Sequence, residues 1–276
     1  LKATGCNINE TASKILQVYQ QLIAELVPGF VEAIYVYGSV TLGDYIPGRS
    51  DIDFVAISPQ RASVQQYRAL NRVHRLVQRS FPKASLSGIY VCWDDLGKSK
   101  NEIAPFPYCN SDQMHRAGFF ELNEVTWWQL KHKSIRLLGK CDERFQFGVS
   151  ADRLKKSVSL NIRNYWKPWV DARSSYLSYE RWLMACFPRL VEWGVLTLSR
   201  QYYTLVTGDV TSKTNGGIFC LRKLTKKYDR FLQEVIEIRY GQTRNGLSMN
   251  FHRSTMAIDY MRYLIFQCEQ RGLFKL

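Results

Sequence analysis

The stretch from Tyr35-Val36-Tyr37-Gly38-Ser39 to Ser50-Asp51-Ile52-Asp53-Phe54-Val55-Ala56-Ile57 limits the fold more than any other part of the chain. Two β-branched and aromatic runs flank a Gly-Ser pair, a short helical turn and a Pro-Gly loop. The pattern predicts strand, turn, loop and strand. Aspartates at i and i+2 on a strand point to one face, roughly 7 Å apart at Cα. At that spacing two hard carboxylates can hold one or two magnesium ions, and a Gly-Ser turn offers backbone N–H groups to phosphate. Such an arrangement suits metal-assisted transfer of a nucleotidyl group. A lone Asp-x-Asp is common; its place on an apolar strand, after Gly38-Ser39 on the neighbouring one, makes this pair specific.

With 276 residues the chain is long for one core, so two domains are expected, and 46% apolar residues suffice to build them. No apolar run reaches bilayer length. Leu1 to Asn7 shows neither an apolar h-region nor a small-residue cleavage pattern, so a cytoplasmic protein is expected. Cys6, Cys92, Cys109, Cys141, Cys186, Cys220 and Cys268 are scattered and never form C-x-x-C, which predicts buried free thiols rather than a disulfide framework or zinc site. His74, His115, His132 and His252 lack zinc-like spacing, and neither a P-loop nor a G-x-S-x-G elbow occurs.

The net charge of +14 favours polyanionic partners, nucleoside triphosphate or nucleic acid among them. Arg68, Arg72, Arg75 and Arg79, and the group Arg222-Lys223 with Lys226-Lys227, read as solvated faces. No RNP-like segment or Cys/His finger supports dedicated nucleic-acid binding, which is therefore not favoured. A monomer is the plain expectation.

Helical spacing of Ile15, Val18, Tyr19, Leu22, Ile23 and Leu26 predicts a first helix, capped by Asn9 or Thr11 and ended by Pro28-Gly29. Strands are expected over 32–38, 51–57 and 89–93, with an amphipathic helix from Arg61 to Arg79. Residues 97–118 read as a long loop. A helix around Trp127 to His132 and a strand at 135–138 follow. Beyond Phe147-Gly148 the chain reads as helical over 151–170, 176–186, 188–207, 228–240 and 252–271. The expected architecture is an α/β domain with a small mixed sheet (1–148), an all-α helical bundle (149–276) and an active site in the cleft between them.

The segment Tyr37-Gly38-Ser39 … Pro47-Gly48-Arg49-Ser50-Asp51-Ile52-Asp53 resembles the signature of the nucleotidyltransferase superfamily, and more narrowly that of the streptomycin/spectinomycin (aminoglycoside) adenylyltransferases. Val195 to Tyr203, then Val206-Thr207-Gly208 and Lys213, are similar to that family's C-terminal helix and exit loop. Trp93-Asp94-Asp95, Ala117 to Glu121 and Tyr240-Gly241-Gln242 fall in step. The resemblance implies that Asp51 and Asp53 bind Mg2+ and that Gly38, Ser39 and Ser50 hold the phosphates of ATP. It implies that Arg200, Lys213 and Tyr240 of the helical domain complete the nucleotide site. The reaction implied is transfer of AMP to a hydroxyl of a small acceptor, an aminoglycoside or aminocyclitol antibiotic among the candidates.

One position departs from the family. Its members carry a base carboxylate just before the third strand, where this chain has Ser87. Serine takes no proton at neutral pH without a base of its own. The chain is then an ATP-binding protein with little turnover, or a carboxylate such as Glu121, Glu180 or Glu192 reaches the site, or Ser87 is a replacement that traps a substrate complex. Aminoglycosides are polycations, and Asp94, Asp95, Glu121, Glu180 and Glu192 are candidates for an acidic floor on a basic protein. The basic surface leaves RNA or protein as a further acceptor class. Tyr176, Tyr179, Trp182, Phe187 and Trp193 read as bundle core rather than a sugar-stacking platform.

Overall fold

The computed structural model describes residues 8–140, 142–175, 177–242 and 249–274; Cys6, Cys141 and Tyr176 lie outside them. Two units divide the chain, Leu1–Val149 and Ser150–Leu276.

The N-terminal unit is built on a six-stranded sheet. Its strands are β1 (Ala33–Tyr37), β2 (Ile52–Ser58), β3 (Leu86–Cys92), β4 (Phe106–Asn110), β5 (Gln113–Gly118) and β6 (Ile135–Leu138), in the order β5-β4-β3-β2-β1-β6. Only β2 and β3 run parallel, joined by the crossover helix that such a pair requires; the other pairs are antiparallel. That crossover is α2 (Val64–Ser80), started by a capping box between Ser63 and Gln66. Helix α1 (Glu10–Leu26) starts at Asn9, whose side chain accepts the N–H groups of Thr11 and Ala12.

Strand alternation divides the core. Ile34, Val36, Ile52, Phe54, Ala56, Leu86 and Tyr90 pack against α1 and α2 through Ile15, Tyr19, Ile23, Leu70, Val73 and Val77. The intervening residues Ala33, Tyr35, Tyr37, Val55, Ile57, Ile89 and Val91 face Trp127 and Leu130 of α3 (Glu124–His132). The arginines of α2 at 68, 72, 75 and 79 are exposed.

Residues 97–118 do not form the long loop that their composition suggests. Their second half is the β4–β5 hairpin, turned at Ser111-Asp112, both with positive φ (48° and 65°). β5 is an edge strand with no buried residue, so it lacks the apolar alternation by which strands are read.

Every regular element among the described residues of the C-terminal unit is a helix. The unit comprises α4 (Ala151–Asn161), a π turn at Ile162–Trp166, α5 (Lys167–Ala172), α6 (Tyr179–Cys186), α7 (Pro188–Thr207), α8 (Lys213–Lys223), α9 (Asp229–Tyr240) and α10 (Phe251–Gln270). Gly208 and Gly241, at φ 76° and 77°, end α7 and α9 in the left-handed conformation that suits glycine. Helix α8 is absent from the sequence expectation because Gly216 and Gly217 weaken helix propensity. Packing explains them: a Cβ at Gly216 would come within 2.7 Å of the Arg200 Cα, and one at Gly217 within 2.9 Å of Leu196. Arg239 donates to Glu192 at 3.2 Å in a buried pair joining α9 to α7, and to Thr214 of α8. No described helix is long and apolar enough to cross a membrane.

The five described cysteines are free thiols; Cys109, Cys220 and Cys268 are buried, and Cys92 and Cys186 half-buried. Burial also fails for the aromatic run of the helical unit. Tyr179 is 72% and Phe187 51% exposed, and Trp182 is exposed against Phe251. Among the described rings of this run only Trp193 packs inward, tilted against Trp166 and edge-on to Trp169. The expectation that these rings are bundle core is corrected for Tyr179 and Trp182, which the short helix α6 presents at its surface, and for Phe187 just beyond it.

Candidate active site

The carboxylate pair sits where β1 ends and β2 and β3 begin. Asp51 is exposed and immediately precedes β2; Asp53 is half-buried and stands opposite Tyr37 of β1. The reversal that brings the Gly-Ser pair beside them depends on Gly38. Its φ is 72°, and a Cβ there would collide with the Asp53 carboxylate, so two separate constraints demand glycine. Ser39 Oγ donates to the Asp51 carbonyl at 3.2 Å, and the Asp44 N–H donates to the Ser39 carbonyl at 3.0 Å. The loop closes on Ser50, a buried residue whose Oγ accepts the Ile46 N–H at 3.1 Å. Gly38, Ser39, Ser50, Asp51 and Asp53 are thus one local assembly.

Ser87 belongs to it as well. In the parallel β2–β3 pair Ser87 is the register partner of Asp53, so the two side chains leave the same face on neighbouring strands. Its Oγ accepts the Ser111 N–H at 3.1 Å, from the β4–β5 turn. Beside it Asp112 Oδ1 accepts the Leu86 N–H at 2.9 Å. Asp112 escapes a reading of the sequence because it reaches this corner across two strand pairings; the Asn110-Ser111-Asp112 turn signal is the one hint of it.

Electrostatics bind these groups further. Burial, and then the charge of Asp51, push the Asp112 carboxyl upward, partly offset by the Leu86 N–H. Burial raises the Tyr45 phenol, and Asp51 adds to it. The buried Tyr37 phenol is held well above its ordinary range by burial first, then by Glu121 and Asp53. Asp51 and Asp53, with Asp112 across β3 and Glu121 on the Tyr37 side, place acidic groups at this end of the sheet in a chain of net charge +14. Such a locus calls for cations. Among the described residues no group of three or more His, Cys, Asp or Glu could hold an ion alone. Two carboxylates with substrate phosphates and water making up the rest is the usual magnesium arrangement, and Asp51 with Asp53 fits it.

Of the carboxylates expected as substitutes for position 87, Glu121 accepts from Thr126 Oγ1 at 3.3 Å and Asn123 Nδ2 at 3.4 Å, on the Tyr37 side. Glu192 is committed to Arg239. Glu180 accepts from Ser178 Oγ at 2.7 Å, which holds it below the ordinary carboxylate range. Asp95 forms a close ion pair with Arg61 and accepts the Cys92 N–H, so it is no part of an open acidic floor. Arg200, half-buried on α7, lies under Gly216 of α8, and Lys213 is the first residue of α8 rather than part of a loop. Tyr240 is exposed at the end of α9.

Residues 17–106 match the family described as nucleotidyltransferase domain, and residues 184–263 that described as aminoglycoside adenylyltransferase, C-terminal domain. A spectinomycin 9-adenylyltransferase of Campylobacter jejuni is 24% identical over 277 aligned positions, spanning 93% of this chain and 96% of the relative. The crystal structure of a spectinomycin adenyltransferase from Enterococcus faecialis, solved with ATP and spectinomycin, superposes with a TM-score of 0.65 at 12% identity. That match covers 92% of this chain and 99% of the other, a likeness of fold.

Proposed function

From the premise that this chain is a nucleotidyltransferase homologous to the spectinomycin adenylyltransferases, we propose that it moves AMP from ATP to a hydroxyl of a small aminocyclitol or aminoglycoside acceptor. One observation carries this reading: Asp53 is packed onto Gly38, with Asp51 two residues before it and Ser39 bonded to the Asp51 carbonyl. That is a divalent-ion seat beside a phosphate-binding turn.

Asp51 and Asp53 would hold magnesium, which would supply charge neutralisation of the triphosphate. The Gly38-Ser39 turn and the Ser50 hydroxyl hold phosphate oxygens. By the resemblance, Arg200, Lys213 and Tyr240 are nucleotide-binding residues; the N-terminal position of Lys213 on α8 suits an anion. The acceptor oxygen attacks the α-phosphorus, the α–β P–O bond breaks, and pyrophosphate leaves with the electron pair. The carboxylate locus of Asp51, Asp53, Asp112 and Glu121 gives a polycationic acceptor a favourable corner despite the basic chain. The protein acts as a monomer in the cytoplasm, where ATP is at hand.

Ser87 favours a second reading, an ATP-binding protein with little turnover, because its Oγ accepts a hydrogen bond and is no base. Transfer to RNA or protein is a further alternative. Incubation with magnesium, ATP and spectinomycin or streptomycin separates them. Pyrophosphate release and an adenylylated antibiotic by mass spectrometry are expected, both abolished by EDTA. Nucleotide binding without pyrophosphate release from any hydroxylated acceptor would contradict the enzymatic reading.

A further inference from the structure

We propose that Asp112 is the general base of this site, taking the acceptor hydroxyl's proton in place of a carboxylate at position 87; this rests on the nucleotidyl-transfer reading above. Metal, phosphate cradle and acceptor are of little use unless the attacking hydroxyl loses its proton, and Asp51 and Asp53 are spent on the ion. The base must stand beside that pair yet outside it.

Position 87 has the right place and the wrong side chain. It is next to Asp53 on the same face, but its oxygen accepts from Ser111. The group that supplies this bond is the residue before Asp112. The two central residues of the β4–β5 turn are thus fastened to the first two residues of β3, Ser111 to Ser87 and Asp112 to Leu86. The latter contact is double: the Asp112 N–H donates to the Leu86 carbonyl at 3.2 Å, and Asp112 Oδ1 accepts the Leu86 N–H at 2.9 Å. A carboxylate is thereby fixed by one oxygen at the start of the strand neighbouring Asp51 and Asp53. Ser111, the residue before Asp112, bonds Ser87, the register partner of Asp53, so Asp112 is one strand removed from the metal pair and outside it.

Three of the other acids have partners of their own. Asp95 belongs to Arg61, Glu192 to Arg239, and Glu121 bonds Thr126 on the Tyr37 side. Half-burial raises the proton affinity of Asp112 although the Leu86 N–H opposes it, the direction that suits a base. In the step itself Oδ1 stays on the Leu86 N–H and Oδ2 takes the hydroxyl proton. The acceptor oxygen forms its bond to the α-phosphorus as the α–β P–O bond breaks, and pyrophosphate carries off the pair.

The turn alone is a plain reason for an aspartate here, since both central residues have positive φ, which Asp and Asn tolerate. Asp112→Asn keeps that tolerance and an Oδ1 for Leu86, and removes only the proton acceptor. In the full chain, with magnesium-ATP and spectinomycin, D112N should lose about a hundred- to ten-thousand-fold in kcat. KM for ATP, the calorimetric Kd for magnesium-ATP and the melting temperature should stay at wild-type values. Adding Ser87→Glu to D112N should restore turnover, which a purely structural role would not allow. D112N turnover within a few-fold of wild type would overturn the assignment, as would an inactive wild type made active by Ser87→Glu alone. Wild type and Ser87→Glu both silent while binding magnesium-ATP would sink the acceptor reading and Asp112 with it. Absence of magnesium-ATP binding would instead sink the nucleotide site itself.

Discussion

The two faces of the N-terminal sheet are drawn from alternate residues of the same strands, and they do opposite things. Ile52, Phe54 and Ala56 of β2, with Leu86 and Tyr90 of β3, are buried against α1 and α2. Asp53 and Ser87, one residue out of phase, begin the other face, which is apolar only beyond them at Val55, Ile57, Ile89 and Val91. A one-residue slip of β2 would send its acids into the core and its apolar set outward. The sealed face thus fixes the register, and register is what aims the carboxylates. Even the polar groups differ. On the sealed face Tyr19, Tyr90 and His74 bond only one another, at 2.8 and 2.7 Å. At the active end Ser39, Ser50, Ser87 and Asp112 are each held to backbone by a side-chain oxygen.

That contrast breaks if stability and nucleotide binding respond together to changes on either face. The largest stability change is expected for Phe54→Ala, about 3–5 kcal/mol in urea unfolding, because Phe54 is fully buried among Tyr19, His74 and Tyr90. At temperatures where the variant stays folded, its Kd for magnesium-ATP should match wild type. Gly38→Ala should do the reverse. Its stability cost is about 1–2 kcal/mol for the left-handed φ, yet the new Cβ displaces the Asp53 carboxylate, so calorimetry should find magnesium-ATP affinity lost. If Gly38→Ala binds nucleotide normally, the Gly38–Asp53 contact is not what seats the ion.

A smaller effect, confined to the sealed face, comes from pH. Burial lowers the His74 pKa from 6.5 to about 3, so the folded protein keeps it neutral while the unfolded chain protonates it below 6.5. The unfolded state then binds more protons, and stability is full above pH 6.5 and falls as pH drops toward 3, by about 1.4 kcal/mol per unit. Urea melts at pH 7 and pH 5 should show this loss in wild type and lack it in His74→Gln. An unchanged slope in His74→Gln would show that other groups carry the acid sensitivity.

Most of the fold was legible because its elements are periodic. Helix α1 shows Ile15, Tyr19 and Ile23 at helical spacing, β1 is a continuous apolar run ended by Gly38, and β2 is apolar from Ile52 to Ile57 except at Asp53. What escaped was set by tertiary contact. β5 is exposed and polar, and takes strand form by pairing with β4. Helix α8 carries two glycines that only its closeness to α7 explains. The exposed rings at 179, 182 and 187 have core composition without core placement. At the site, Gly38-Ser39 and the two aspartates announce themselves locally, whereas Asp112 is tied to Ser87 by strand order that no short segment encodes.

Calorimetric titration of ATP into wild type and Asp53→Asn, with magnesium and with EDTA, tests the central claim most directly. The expected result is binding by wild type that requires magnesium, with that requirement and most of the affinity gone in Asp53→Asn at an unchanged melting temperature. An Asp53→Asn protein that binds ATP as tightly as wild type, and as dependently on magnesium, would contradict it.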